Sequence, residues 1–227
     1  MKFVLSATLI TFISFVGRAQ EAKEEVEEDL SIRKGKVLLG SYFNFSASTI
    51  EKTRTSGINT NTDAIVAGIN ITVGKMLSDH WGILLIGGYR QSSSNTPVTV
   101  GAISTTFEDF KEDYSIAPSV RYYKLISDAT YFFIQGSISY SKGTASSDEF
   151  NGTNKVNIKL NTHGYGVGIS PGFSYFMTNK LSTEISIGLL GYSIYSGEDK
   201  QGNKTDVKTF ASLLYLNSVS LGFVYYL

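Results

Sequence analysis

The sequence contains no cysteine. Disulfides, thiolate metal sites and an acylated lipoprotein cysteine are therefore excluded, and the composition suits an oxidising compartment in which a free thiol is a liability. Histidine occurs only as His80 and His163, and proline only three times. Neither sign of charge prevails. The 20 basic residues balance 20 acidic ones, so no global field recruits nucleic acid or another polyanion. After residue 19 there is no run of roughly 18 apolar residues, so no later membrane-spanning helix is expected. What is plentiful is glycine, at 22, with tyrosine and phenylalanine at 14 each. Aromatic side chains fit a pleated surface. The hydrophobic fraction of 42% is ordinary for a soluble protein, so pattern must decide the class.

The first residues read as a targeting segment. Met1-Lys2 is a minimal basic start, Phe3 to Val16 is charge-free and largely apolar, and Gly17-Arg18-Ala19 places small residues before a cut at Gln20. This predicts a signal peptide over residues 1–19, its apolar run being shorter than the roughly 20 residues a spanning helix needs. Its removal takes Lys2 and Arg18 and leaves a net charge of −2. Residues 20–34 follow as an acidic linker, with Glu21, Glu24, Glu25, Glu27, Glu28 and Asp29. Such a stretch cannot bury a core. A partner-binding tail is the alternative reading of it.

From residue 35 the dominant signal is alternation of period two. Tyr165, Val167, Ile169, Pro171, Phe173, Tyr175 and Met177 alternate with Gly166, Gly168, Ser170, Gly172 and Ser174. Similar segments cover 65–73, 132–140, 181–189 and 211–227. The polar face is made of Gly and Ser rather than the Lys and Glu of a solvated sheet. Small side chains suit the narrow lumen of an eight-stranded barrel. The apolar face carries aliphatics in the middle and aromatics near the ends, the layout of a lipid band with girdles. A soluble lipocalin-like barrel would need the reverse arrangement.

Three short turns look alike: Met76-Leu77-Ser78-Asp79, Leu125-Ile126-Ser127-Asp128 and Phe176-Met177-Thr178-Asn179. Long polar connections lie near 49–63, 92–108, 142–156 and 197–208. Seven connections predict eight strands, with short turns and both termini in the periplasm. Ile116-Ala117-Pro118-Ser119-Val120-Arg121-Tyr122 repeats as Ile169-Ser170-Pro171-Gly172-Phe173-Ser174-Tyr175, one hairpin later.

These strands, the Leu-Ser-Asp type turns, the first strand Gly35-Lys36-Val37-Leu38-Leu39-Gly40-Ser41-Tyr42 and the terminal Gly222-Phe223-Val224-Tyr225-Tyr226-Leu227 resemble the porin-like outer-membrane β-barrel family over residues 35–227. The resemblance implies an all-β, eight-stranded antiparallel transmembrane barrel in a Gram-negative outer membrane. It implies outer-membrane lipids and the barrel-assembly machinery as partners. Phe223, Tyr225 and Leu227 would then form the C-terminal assembly signal, with Leu227 replacing the family's usual aromatic.

Little chemistry stands out. His80 and His163 fall on different strands and opposite ends, so a shared metal site is not expected. Barrel-shaped lipid A deacylases are similar in size and use a His-x-Ser pair, but His163-Gly164-Tyr165 lacks the nucleophile. No catalytic residue, cofactor, metal or nucleic-acid site is assigned. Arg121 and Glu184 both fall on polar faces near short turns, which predicts an ion pair plugging the lumen, because an interior charge must be paired or hydrated. Lys36 is the alternative partner of Glu184. Pro118 and Pro171 fall on the lipid face, where proline breaks a ladder bond. They mark either a β-bulge or a lateral opening. The glycines of the 164–172 face make room for large neighbours such as Tyr123 or Tyr226. The expected function is non-enzymatic: a structural or porin-like barrel with a mostly filled lumen. The alternatives are a transporter of small hydrophobic molecules through a lateral opening and an interaction subunit of an envelope complex.

Overall fold

The computed structural model describes residues 32–53, 58–100, 103–151, 154–188, 190–198, 204–212 and 219–227. The expected signal peptide, nearly all of the acidic linker and residues 213–218 lie outside them. Among the described residues there are ten strand segments: β1 Val37–Thr53, β2 Ile58–Met76, β3 Trp81–Val100, β4 Ile103–Ser127, β5 Thr130–Asn151, β6 Asn154–Phe176, β7 Leu181–Ile187, β8 Leu190–Glu198, β9 Lys204–Ser212 and β10 Val219–Tyr226. All pairings are antiparallel. Each of β1 to β5 pairs with its successor, β6 pairs with β7 and β8, β8 with β9, and β10 bridges β7 and β1. β7 with β8, and β9 with β10, each form one stave in two parts. The sheet closes as a ring of eight staves. Closure removes edge strands and satisfies the backbone internally, as a lipid environment requires.

The break between β7 and β8 is a bulge. Gly172 pairs with Ser186 while Ile169 pairs with Leu190, so three steps on β6 face four on its partner. A second register shift lies between Leu125 and Ser127. The long polar connections inferred from composition turn out to be largely strand. β3 and β4 remain paired out to Val100↔Ile103, and β5 and β6 out to Asn151↔Asn154. Polar runs such as Ser92 to Thr96 on β3 and Ser146 to Glu149 on β5 give these extensions the composition of loops, although β6 alternates Val156, Ile158 and Leu160 with Asn157, Lys159 and Asn161.

The outward row is apolar. Ile71, Ile138 and Tyr165 are each more than 60% exposed, as lipid-facing side chains are. Tyr89 stacks against Tyr114, and Tyr140 against Tyr165, with centroids 5.0 and 5.2 Å apart. Eight residues further along the same strands lie Trp81, Tyr122, Phe132 and Phe173, where Trp81–Tyr122 and Phe132–Phe173 pair at 5.1 and 5.5 Å. At about 3.4 Å per residue and about 40° of tilt, this spacing separates the two belts by about 21 Å. A bilayer core is the environment that matches such a band.

The first and third short turns are closed in the same way. In the first, Leu77 and Ser78 donate backbone N–H groups to Trp81 O, and Ser78 Oγ accepts from Trp81 N at 3.1 Å. In the third, Met177 and Thr178 donate to Leu181 O, and Thr178 Oγ1 accepts from Leu181 N at 3.0 Å. The hydroxyl residue closes the turn. Asp79 instead accepts from Lys34 N at 2.8 Å. Ile32, on the linker side of the boundary drawn at residue 35, is 2% exposed. Its N–H donates to the Tyr131 hydroxyl at 3.1 Å. Gly35, at φ 92°, supplies the left-handed bend that lets the chain turn under the barrel, and its N–H reaches Met76 O. Burial and the neighbouring Arg33 and Lys180 hold the Lys36 ammonium below its ordinary pKa. Buried residues concentrate at this end: Leu38, Met76, Tyr131, Phe176 and Tyr226 join Ile32 in the floor.

Candidate functional site: the barrel lumen

The lumen is built by the inward row of each stave. Near the short-turn end β4 supplies Arg121 and Tyr123, β5 supplies Phe133 and Gln135, β1 supplies Tyr42, β7 supplies Glu184 and β10 supplies Tyr226. Arg121 Nη1 donates to Glu184 Oε2 at 2.6 Å, with the two side chains 3% and 0% exposed. The other donors of the guanidinium are also used. Nε and Nη2 reach Gln135 Oε1 at 3.0 and 2.7 Å, Nη1 reaches the Tyr123 hydroxyl at 2.9 Å, and Nη2 reaches the Tyr42 hydroxyl at 3.2 Å. All five N–H groups of an arginine are thereby satisfied. Glu184 accepts further bonds from Tyr42 at 2.6 Å and Tyr226 at 3.4 Å. The Phe133 ring lies 4.1 Å beneath the guanidinium. A buried charge pair is tolerable only when its remaining polar sites are filled in this way.

The alternative partner, Lys36, is not at Glu184. Its ammonium donates to Asn179 O at 3.3 Å at the turn end. The glycine expectation also needs correction. The large neighbours of the 164–172 face are Phe133 and Tyr195 rather than Tyr123 and Tyr226, and Tyr42 stands in the same relation to Gly222. Phe133 pairs across the ladder with Gly172, Tyr42 with Gly222 and Tyr195 with Gly164. A Cβ on any of these glycines would overlap the facing ring. Sequence reasoning missed this aromatic set because only the register shows which glycine faces which ring.

Toward the hairpin end a second charged group appears. Asp113 accepts from Arg90 at 3.0 Å and Lys111 at 3.3 Å, with Lys111 also 4.2 Å from the centre of the Tyr195 ring. Here the cations reach water, with 47% and 27% of their side chains exposed. Between the two charged layers the inward residues are small or neutral, among them Asn70, Gly88, Ser115, Ser137, Ser139, Gly166 and Gly168.

The two prolines differ. Pro171 pairs with Ile134 and sits opposite the β7–β8 bulge. At Pro118 the β4–β5 register runs unshifted from Ile116↔Tyr140 to Ser119↔Ser137, but the two intervening pairings are missing. No bulge is present there. The absence of a proline N–H accounts for the gap. A shallow apolar concavity of about 1110 Å³ runs along the outer face beside Pro118, lined by outward Leu85, Val120, Ile138 and Val167. His80 lies at a turn, 6.0 Å from Tyr122 between ring centroids, and His163 faces outward opposite Lys142. Among the described residues no three metal-ligating side chains converge. Phe223, Tyr225 and Leu227 all point outward at 40% exposure or more.

The closed ring, the inward–outward alternation and the paired belts define an eight-stranded barrel of the outer-membrane kind. The chain belongs to the family described as a protein of unknown function (DUF3575), whose model matches residues 39–227. A search of curated proteins finds no match. Among solved structures, the outer membrane protein OprG from Pseudomonas aeruginosa superposes with a TM-score of 0.56 at 14% identity, covering 88% of this chain and 99% of that one. Neisserial surface protein A gives 0.40 at 16% identity, covering 85% and 97%. Ail, the attachment invasion locus protein of Yersinia pestis, gives 0.37 at 11%, covering 86% and 99%. At 14% identity the property shared with OprG is the fold.

Proposed function

We propose that the protein is a non-enzymatic, structural component of a Gram-negative outer membrane, porin-like in form but closed to solute flow, with its short turns and both termini in the periplasm. The plug carries this reading. Arg121, Glu184, Tyr42, Tyr123 and Gln135 cross the lumen with every guanidinium donor satisfied, and an aromatic floor that includes Ile32 lies beneath. These two layers in series support a lumen closed to solute flow. The refolded mature chain in a planar bilayer is expected to be electrically silent, and Glu184→Ala to admit small ions in brief steps. Discrete, ion-selective steps from the unaltered chain would replace the structural reading with a channel.

A second reading, lateral transport of small hydrophobic molecules, is favoured by the two missing ladder pairings at Pro118 beside the outer apolar concavity. On this reading Pro118→Ala, which restores an N–H, slows uptake of an apolar dye into proteoliposomes. Equal uptake by both forms removes it.

A further inference from the structure

Above the plug the lumen holds a partly open cavity of about 160 Å³, with Tyr42, Thr72, Ile86, Phe133, Gln135 and Ser186 among its walls. Two observations mark it as more than leftover volume. First, Thr72 is 2% exposed and its hydroxyl has no hydrogen-bond partner, although a buried polar group left unpaired is costly. Second, Gln135 is held by its oxygen. Oε1 takes two bonds from Arg121, which leaves its amide N–H groups without a bond to the plug. Ser174 and Ser182 are also buried and unpartnered, but they are not among the walls of this cavity.

The chemistry of the walls selects an occupant. The charges at the floor cancel, since Arg121 and Glu184 are paired. A net charge entering the space would meet no free counter-charge and would have to shed its water. The remaining polar groups are hydroxyls and amides, and the Phe133 ring and Ile86 add an apolar wall. We infer that this cavity is a binding site for a small uncharged polar solute of the polyol or amide class. The solute enters from the hairpin end and stops at the plug. The volume is ample for a solute the size of glycerol or urea.

The test uses the refolded mature chain in lipid nanodiscs with glycerol and urea as probes. Side-chain NMR shifts of Thr72, Gln135 and Ile86 are followed as each probe is added. The expected result is a saturable shift confined to these residues. Thr72→Val should weaken it at least fivefold while leaving the heat-induced gel shift of the folded barrel unchanged. Ser186→Ala, on the opposite wall, serves as the independent variant. A shift that grows linearly without saturating, or one unaffected by both substitutions, overturns the proposal and leaves a cavity filled by water alone. A saturable shift with acetate but not with glycerol or urea overturns the assigned class.

Discussion

The two ends of the lumen carry similar residue types and use them differently. At the short-turn end Arg121 and Glu184 are almost wholly buried, and each polar atom of the guanidinium is matched. At the hairpin end Arg90 and Lys111 share one carboxylate, and their side chains reach solvent. The same ion-pair chemistry is a structural element where both partners are buried, and a partly solvated cluster where the cations reach water around a buried Asp113. Burial decides this. Removing one partner of a buried pair strands the other charge, whereas an exposed pair returns to water at little cost.

The sharpest way to break the contrast is at Glu184. Glu184→Ala leaves the Arg121 guanidinium buried without its counter-charge, with an expected loss of about 3–5 kcal/mol. Urea unfolding in lipid vesicles measures it. Arg121→Met combined with Glu184→Leu is expected to recover most of that loss, because no charge is then stranded. An unchanged midpoint for Arg121→Ala would show that the pair contributes nothing to the fold. A smaller effect is expected from the steric complement of the plug. Gly222 faces Tyr42 across the ladder, and Gly222→Ala forces the ring and its bond to Glu184 aside, at about 1–3 kcal/mol. With Tyr42→Ala in place, the alanine at 222 is expected to cost less, the remainder being the 2.7 Å approach of its Cβ to Ser41 O.

Much of this was legible from residues in isolation. Period-two alternation with Gly and Ser on one face is a local property, so the staves, the lumen face and the positions of Arg121 and Glu184 on it follow from counting. The aromatic belts follow the same parity. The packing of the plug depends on which strands meet at which register, a non-local property. Tyr42 and Gly222 are 180 positions apart, and no local pattern joins them. Ile32 was hidden for another reason. It follows an acidic run with only Leu30 as an apolar neighbour, and two residues are too few to establish a period. The hairpin extensions were misread as loops because polar runs such as Ser92 to Thr96 outweigh the short alternation of Val156, Ile158 and Leu160.

The smallest expected effect tests the other end. Asp113→Asn removes the shared carboxylate from Arg90 and Lys111. Both cations already reach water, and Lys111 keeps its place over the Tyr195 ring. Solvent screening therefore limits the expected loss to less than about 1 kcal/mol. The remaining two cations repel each other, so the loss should grow as salt is lowered and the screening length lengthens. Glu184→Ala, acting where water and ions are excluded, should be nearly independent of salt. Unfolding midpoints of both variants across a range of ionic strength make the comparison directly. If Asp113→Asn costs as much as Glu184→Ala, and equally at all salt concentrations, the outer cluster is a second dry plug. The lumen would then be sealed from both ends, and the solute site between the plugs would have no entrance.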